Sequence, residues 1–255
     1  MDKQIIIKDL LISYSEAQGD SGRTLLFLHG WRSSAQVWQG IIERFKDLKI
    51  ERLTIYALDL PGFGGSQVPK LPMTVGDYAD VVAEFIRKLE LKDVIVIGHS
   101  FGGRVGIKLA SAHPELISKL VLADSAGFVM DTSKKNFYRS AAKIAKPFFK
   151  PAFMQGLRKK IYQKISAEDY VATPELQKTF VNVVSEDLSA DMQNIKCPTL
   201  IISGENDADT PVSFGKKMNS LIRNSQFVIL KNAGHFSFLD RPEEFAGVLK
   251  DFIRM

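Results

Sequence analysis

One serine in this chain stands where a hydroxyl can become a nucleophile. Gly98-His99-Ser100-Phe101-Gly102 places Ser100 between two glycines, each two residues away. An apolar, β-type run over 94–98 precedes it and a helical pattern over 101–112 follows. A strand that feeds a helix through so tight a turn lifts the serine out of the sheet. The glycines remove side chains that would collide there. The start of the helix also favours developing negative charge. The pentapeptide alone is a weak signal, and the strand–turn–helix setting makes it a strong one.

A serine hydroxyl attacks only when a base takes its proton. The chain has four histidines, so the base is found by elimination. His29 follows a strand and precedes Gly30, where it braces a loop. His99 adjoins Ser100 on the turn and should point away from it. His113 precedes Pro114 at a helix end and reads as structural. His235 remains, in the loop Ala233-Gly234-His235-Phe236 between the last strand and the last helix.

The base needs a carboxylate to hold its tautomer and to stabilise the imidazolium. Asp207, in Gly204-Glu205-Asn206-Asp207 after a strand, is the first choice. Asp124 is the rival, because it follows the strand 120–123 and could approach the histidine from next door. The tetrahedral intermediate needs two backbone N–H donors. The amide of Phe101, directly after the serine, is one. The amide of Trp31, in His29-Gly30-Trp31 after another strand, is the other.

The elements that must carry these residues can be read from periodicity. Residues 10–15 alternate apolar and polar, and 24–29, 53–58, 94–98, 120–123, 199–203 and 226–230 read as buried strands. Val75, Tyr78, Val82, Ile86 and Leu89 form a helical stripe, with Thr74 and Asp77 placed as its cap. Phe245, Val248, Leu249, Phe252 and Ile253 form another, with Asp240 and Glu243 as the expected cap. Strand–helix alternation predicts an α/β fold, a mostly parallel sheet with helices on both faces. The alternation stops after Ala123. Two units are therefore expected: a core over 1–127 and 195–255, and an inserted helical cap over 128–194.

Composition sets the outer bounds. The chain has 255 residues, 45% of them hydrophobic, and a net charge of +5. These values fit a globular domain and exclude a collagen-like or disordered chain. One cysteine, Cys197, makes no internal disulfide, and a lone thiol suits a reducing, cytoplasmic setting. No apolar run approaches the ~20 residues a bilayer needs, and the N-terminus lacks a secretory pattern.

Taken together, His29-Gly30-Trp31, Asp59-Leu60-Pro61-Gly62-Phe63-Gly64-Gly65-Ser66, Gly98 to Gly103, Asp207 and Gly234-His235 resemble the α/β-hydrolase superfamily nearly end to end. The resemblance implies an eight-stranded sheet, a Ser-Asp-His triad, no metal and no organic cofactor. It gives Asp59 to Ser66 a packing role. Gly98 to Gly103 has the glycine spacing of a phosphate loop, but Arg104-Val105 stands where Lys-Ser/Thr is required.

Ten Lys or Arg lie between Asp131 and Lys164, interleaved with aromatics such as Phe137, Phe148 and Tyr162. They read as amphipathic helices with solvated lysines. A sharper reading is an apolar acyl pocket with a basic entrance for anionic substrates or an anionic lipid surface. Nucleic acid is not expected as a partner, since no recognised binding module accompanies the lysines.

The first functional reading is a serine hydrolase acting on a small or medium carboxylic ester. Gly102-Gly103-Arg104 also resembles the menaquinone-pathway lyases of the superfamily, which implies that Arg104 could contact a substrate carboxylate. A lyase or carbon–carbon bond hydrolase is thus the alternative, and a non-catalytic binding module on the same fold is the alternative from another class.

Overall fold

In the computed structural model, residues 2–19, 22–47, 53–129 and 173–255 are described. Eight strands form one sheet: β1 (Asp2–Ile7), β2 (Leu10–Ala17), β3 (Thr24–Leu28), β4 (Thr54–Leu58), β5 (Val94–His99), β6 (Lys119–Ala123), β7 (Thr199–Gly204) and β8 (Ser225–Leu230). Their order is β1-β2-β4-β3-β5-β6-β7-β8. The β1–β2 and β2–β4 pairs are antiparallel. Every pair from β4 across to β8 is parallel.

The described helices are α1 (Gln39–Asp47), α2 (Val75–Lys88), α3 (Phe101–Ala112), α4 (Gln177–Ser185), α5 (Ser189–Asn194), α6 (Val212–Leu221), α7 (Ser237–Asp240) and α8 (Pro242–Arg254). Successive strand residues point to opposite faces, so each central strand feeds two apolar layers. Leu26 and Leu28 of β3 and Val94 and Val96 of β5 join the layer of α2, α3, α5 and α6. Leu25, Phe27, Ile95 and Ile97 join the layer of α1 and α8. Each fully buried Leu, Ile or Phe contributes roughly 1.5–3 kcal/mol. That burial is what makes a long parallel sheet stable with both faces covered.

The helix α2 starts on a reciprocal cap. Thr74 accepts from the Asp77 amide, and Asp77 accepts from the Thr74 amide. One strand lies outside the expected set, and two expectations need amendment. The strand β1 carries Asp2, Lys3 and Gln4 and lacks a clear alternation. It forms as the outer arm of a hairpin whose turn residues, Lys8 and Asp9, both have positive φ, as a tight two-residue turn requires. The strand β8 is half-exposed rather than buried, because it is the sheet's other edge. Asp240 does not cap α8, which follows Arg241 without a side-chain cap. The expected cap region, 128–194, falls largely outside the described residues, and so do all ten of its lysines and arginines between 131 and 164. Its described residues are 128–129 and 173–194, and the latter stretch contains a short 3-10 turn, Pro174–Leu176, and the helices α4 and α5.

The chain leaves β3 for β4 on one side and returns to β5 on the other. Loops beyond the carboxyl ends of β3 and β5 therefore diverge, and a crevice opens where they part. Ser100 and Trp31 lie on those two loops.

Candidate active site

Ser100 is the only residue between the end of β5 and the start of α3. Its backbone lies at φ 50° and ψ −107°, a region that L-residues adopt only under strain. Two glycines allow this. A Cβ on Gly98 would strike the backbone of Gly102, and one on Gly102 would strike the carbonyls of Leu28 and His29. The turn is closed by the Ser100 amide donating to the Ala123 carbonyl of β6, at 3.1 Å.

His235 Nε2 is 3.0 Å from Ser100 Oγ, and His235 Nδ1 is 2.9 Å from Asp207 Oδ2. An ionised carboxylate only accepts, so Nδ1 carries the proton and Nε2 is free to accept from the serine hydroxyl. Asp207 is otherwise fully engaged. Its Oδ1 accepts the amides of Asp209 and Thr210 at 2.8 and 2.9 Å. The Thr210 hydroxyl lies 2.6 Å from Oδ2. Burial opposes the charge on Asp207, but the hydrogen bonds from His235 and Thr210 outweigh it and hold the carboxyl below its usual range. Burial likewise opposes the charge on His235, yet the hydrogen bond and charge of Asp207 leave its pKa above 6.5.

Three side chains hold the histidine loop by its main chain. His99 Nε2 donates to the His235 carbonyl at 2.7 Å. Asp240 accepts the Gly234 amide at 2.7 Å, which is where its carboxylate goes instead of capping α8. Asp124 accepts the Ser237 amide at 2.9 Å. Sequence reasoning assigned none of these ties. Each joins a side chain to a main-chain group, and for His99 the partner is 136 residues away.

The other histidines brace the scaffold. His29 Nε2 accepts the Leu60 amide at 2.9 Å, and burial pushes its pKa down to about 4. His113 Nε2 lies 3.2 Å from Asp80. Asp59 ties the loop after β3 in place, accepting the amides of Ala35 at 2.7 Å and Gly65 at 2.8 Å.

Gly30 packs directly on the elbow, since a Cβ there would lie 2.8 Å from His99 Nδ1 and 3.5 Å from the Ser100 Cβ. Trp31 follows it. The rings of Trp31 and Phe101 meet edge to face, with centroids 5.2 Å apart at 75°. The Phe101 amide opens α3, where a helix offers it no carbonyl. The two amides named from sequence thus belong to residues in mutual contact beside Ser100.

Arg104, one turn along α3, is buried, and its guanidinium donates to the Glu186 carbonyl. Burial lowers its pKa to about 10. It joins α3 to the segment before α5. Asp207, Asp209 and His235 are the described residues whose ligand-type atoms come within 4.8 Å of one another. Asp207 and His235 spend those atoms on each other, on amides and on hydroxyls, so the set does not suit a cation.

The model of the alpha/beta hydrolase family matches residues 25–248. An uncharacterized hydrolase of Bacillus subtilis, YugF, is 27% identical over 99% of this chain and 97% of its own length. A pimeloyl-[acyl-carrier protein] methyl ester esterase of Nitrosomonas europaea is 27% identical over 88% of this chain and 93% of its own. Among solved structures, a membrane phospholipase A described as a bacterial virulence factor is 26% identical. It superposes with a TM-score of 0.79, covering 100% of this chain and 86% of that one. No helix among the described residues is long and apolar enough to cross a membrane.

Proposed function

The chain belongs to the alpha/beta hydrolase family, and from that premise we propose that this hydrolase cleaves small or medium carboxylic esters through an acyl-enzyme on Ser100. One observation carries the reading: the unbroken path from Ser100 Oγ to His235 Nε2, and from His235 Nδ1 to a buried, ionised Asp207.

Ser100 Oγ attacks the ester carbonyl carbon while its proton passes to His235 Nε2. The carbonyl oxygen becomes an oxyanion, which the amides of Trp31 and Phe101 receive. Losing one such donor typically costs ~3 kcal/mol of transition-state stabilisation. The tetrahedral centre collapses, the carbon–oxygen bond to the alcohol breaks, and His235 returns the proton to the leaving oxygen. Water then attacks the acyl-serine with His235 again as base, releasing the acid and restoring Ser100. Asp207 keeps the imidazole in the required tautomer throughout.

The similarity to a methyl ester esterase supports an ester over a carbon–carbon bond as the target. The contact of the Arg104 guanidinium with the Glu186 carbonyl supports a bracing role for that residue. The described residues 173–194 we take as part of a cap above the strand ends. Phe180 of α4 rests on Trp31, with ring centroids 5.2 Å apart, and Thr179 accepts the Met73 amide at 3.1 Å.

The test is turnover of p-nitrophenyl esters of graded chain length by the parent and by Ser100→Ala. The parent is expected to hydrolyse them and to be labelled by a fluorophosphonate. The variant should fold and do neither, and full activity in it would end the proposal.

A further inference from the structure

Asp124 lies at the carboxyl end of β6, between the strand that delivers Ser100 and the strand that delivers Asp207. It is completely buried. Its Oδ1 accepts the amide of Gly204, the last residue of β7, at 2.8 Å. Its Oδ2 accepts the amide of Ser237, two residues beyond His235, at 2.9 Å. Its own amide donates to Ile202 of β7 at 2.8 Å. Its carbonyl lies 2.9 Å from the Thr210 hydroxyl, and that hydroxyl also lies 2.6 Å from Asp207. Asp207 and His235 sit on separate loops, and one side chain grips the base of both.

We propose that Asp124 is a positioning residue: a second buried carboxylate that fixes the Asp207 loop against the His235 loop without touching substrate. The inference rests on reading Ser100, His235 and Asp207 as the reacting groups. Both oxygens of Asp124 face backbone donors, and His235 Nδ1 is taken by Asp207, so Asp124 is not the partner of the imidazole. The pair of donors explains why a carboxylate is needed: an amide side chain would turn an NH2 group toward one of them. Such a group is expensive to leave unpaired in the interior.

The titratable groups of this corner are Asp207 and Asp209 after β7, His235 after β8 and His99 at the end of β5. Burial, with the charge of Asp207 adding to it, pushes the Asp124 carboxyl up to about 6 despite its two amides. Its charge in turn favours protonated His235.

The backbone chooses the test variants. Asp124 has φ 45°, a conformation that Asn tolerates and Gly prefers. Asp124→Asn and Asp124→Gly are therefore suited to fold, and circular dichroism and melting verify that they do. Both are expected to lower kcat on a p-nitrophenyl ester by ~10–100-fold, the scale of a small misplacement of reacting groups. KM should stay within about threefold. The acid limb of the pH profile should move to lower pH, because a negative charge near His235 has gone. That shift reports the lost charge; the fall in kcat at an almost constant KM is what a merely structural role would not produce. In an Asp207→Ala background, Asp124→Asn should have little further effect, since the tie then has no acid to place. Thr210→Val, which cuts the hydroxyl link and leaves the backbone intact, should lower kcat in the same way.

Folded variants with the parent kcat and pH profile would overturn the assignment, as would an equal loss in both backgrounds. An active Asp207→Asn beside an inert Asp124→Asn would make Asp124 the acid, which also overturns it. Failure of the underlying triad reading shows elsewhere, as retained turnover in Ser100→Ala.

Discussion

His99, the neighbour of the candidate nucleophile, holds the main chain of the candidate base: its Nε2 lies 2.7 Å from the His235 carbonyl oxygen. A carbonyl only accepts, so the His99 proton resides on Nε2 and its Nδ1 is a bare acceptor. That nitrogen is buried against Gly30 and has no hydrogen-bond partner among the described residues. The turn that presents Ser100 therefore also sets the height of the loop that presents His235.

His99→Phe keeps the ring, which packs on Phe236 at 4.8 Å and Phe238 at 5.1 Å, and removes the donor. The variant should lose ~1–3 kcal/mol in urea denaturation, the cost of an orphaned buried carbonyl. Its kcat should fall about tenfold through a displaced base. Burial, aided by the charge of His235, pushes the His99 pKa down to about 3. Unfolded His99 takes up a proton below about pH 6.5 and the folded residue does not. Stability from this group is thus full above that pH and is lost as pH falls toward 3, by up to ~1.4 kcal/mol per unit. His29, held at about 4, acts in the same direction. Urea midpoints measured from pH 7 to pH 4.5 should fall less steeply for His99→Phe than for the parent. Equal slopes would refute the buried, neutral state of His99.

Much of the fold is legible because its signals are local. The parallel strands stand out as short β-branched runs, and the elbow declares itself through Gly98 and Gly102, whose missing side chains the backbone demands. The pairing of Ser100 with His235 is legible because only four histidines compete. What local pattern cannot show is which of two carboxylates, both at strand ends, reaches the imidazole. Asp124 and Asp207 follow neighbouring strands, and the choice depends on which amides each side chain meets. The ties from His99 and Asp240 are equally hidden, since a main-chain partner leaves no trace in residue type. The edge strand β1 is hidden because one-sided pairing relaxes the demand for an apolar pattern.

Asp207→Asn tests the electrostatics of the proposed triad. As the proposed base, His235 must be neutral, so kcat/KM of the parent should rise with pH through a midpoint above the ordinary imidazole value, where Asp207 holds the ring. Without that charge, burial of His235 is opposed only by the charges of Asp209 and Asp124, and the midpoint should shift to lower pH. The amide also favours the wrong tautomer, so kcat should drop on the order of 10³–10⁴-fold. A pH–rate profile of the variant measures both, and an unshifted midpoint would remove Asp207 from the acid's role.

Phe180→Ala tests whether α4 supports the proposed oxyanion loop. The Phe180 ring meets Trp31, which also packs on Phe63 at 4.9 Å and Phe101 at 5.2 Å. Phe180 is half-exposed, so its loss should cost ~1–2 kcal/mol, below the toll of a full core cavity. The chain has two tryptophans, and Trp38 is completely buried behind Phe238. A red shift in emission would therefore report water reaching Trp31. With the Trp31 amide less firmly placed, kcat/KM should fall ~3- to 10-fold. The acid limb should stay where it is, because Phe180 carries no charge and its ring contact is with Trp31. Unchanged emission together with unchanged kcat/KM would show that α4 does not brace this loop.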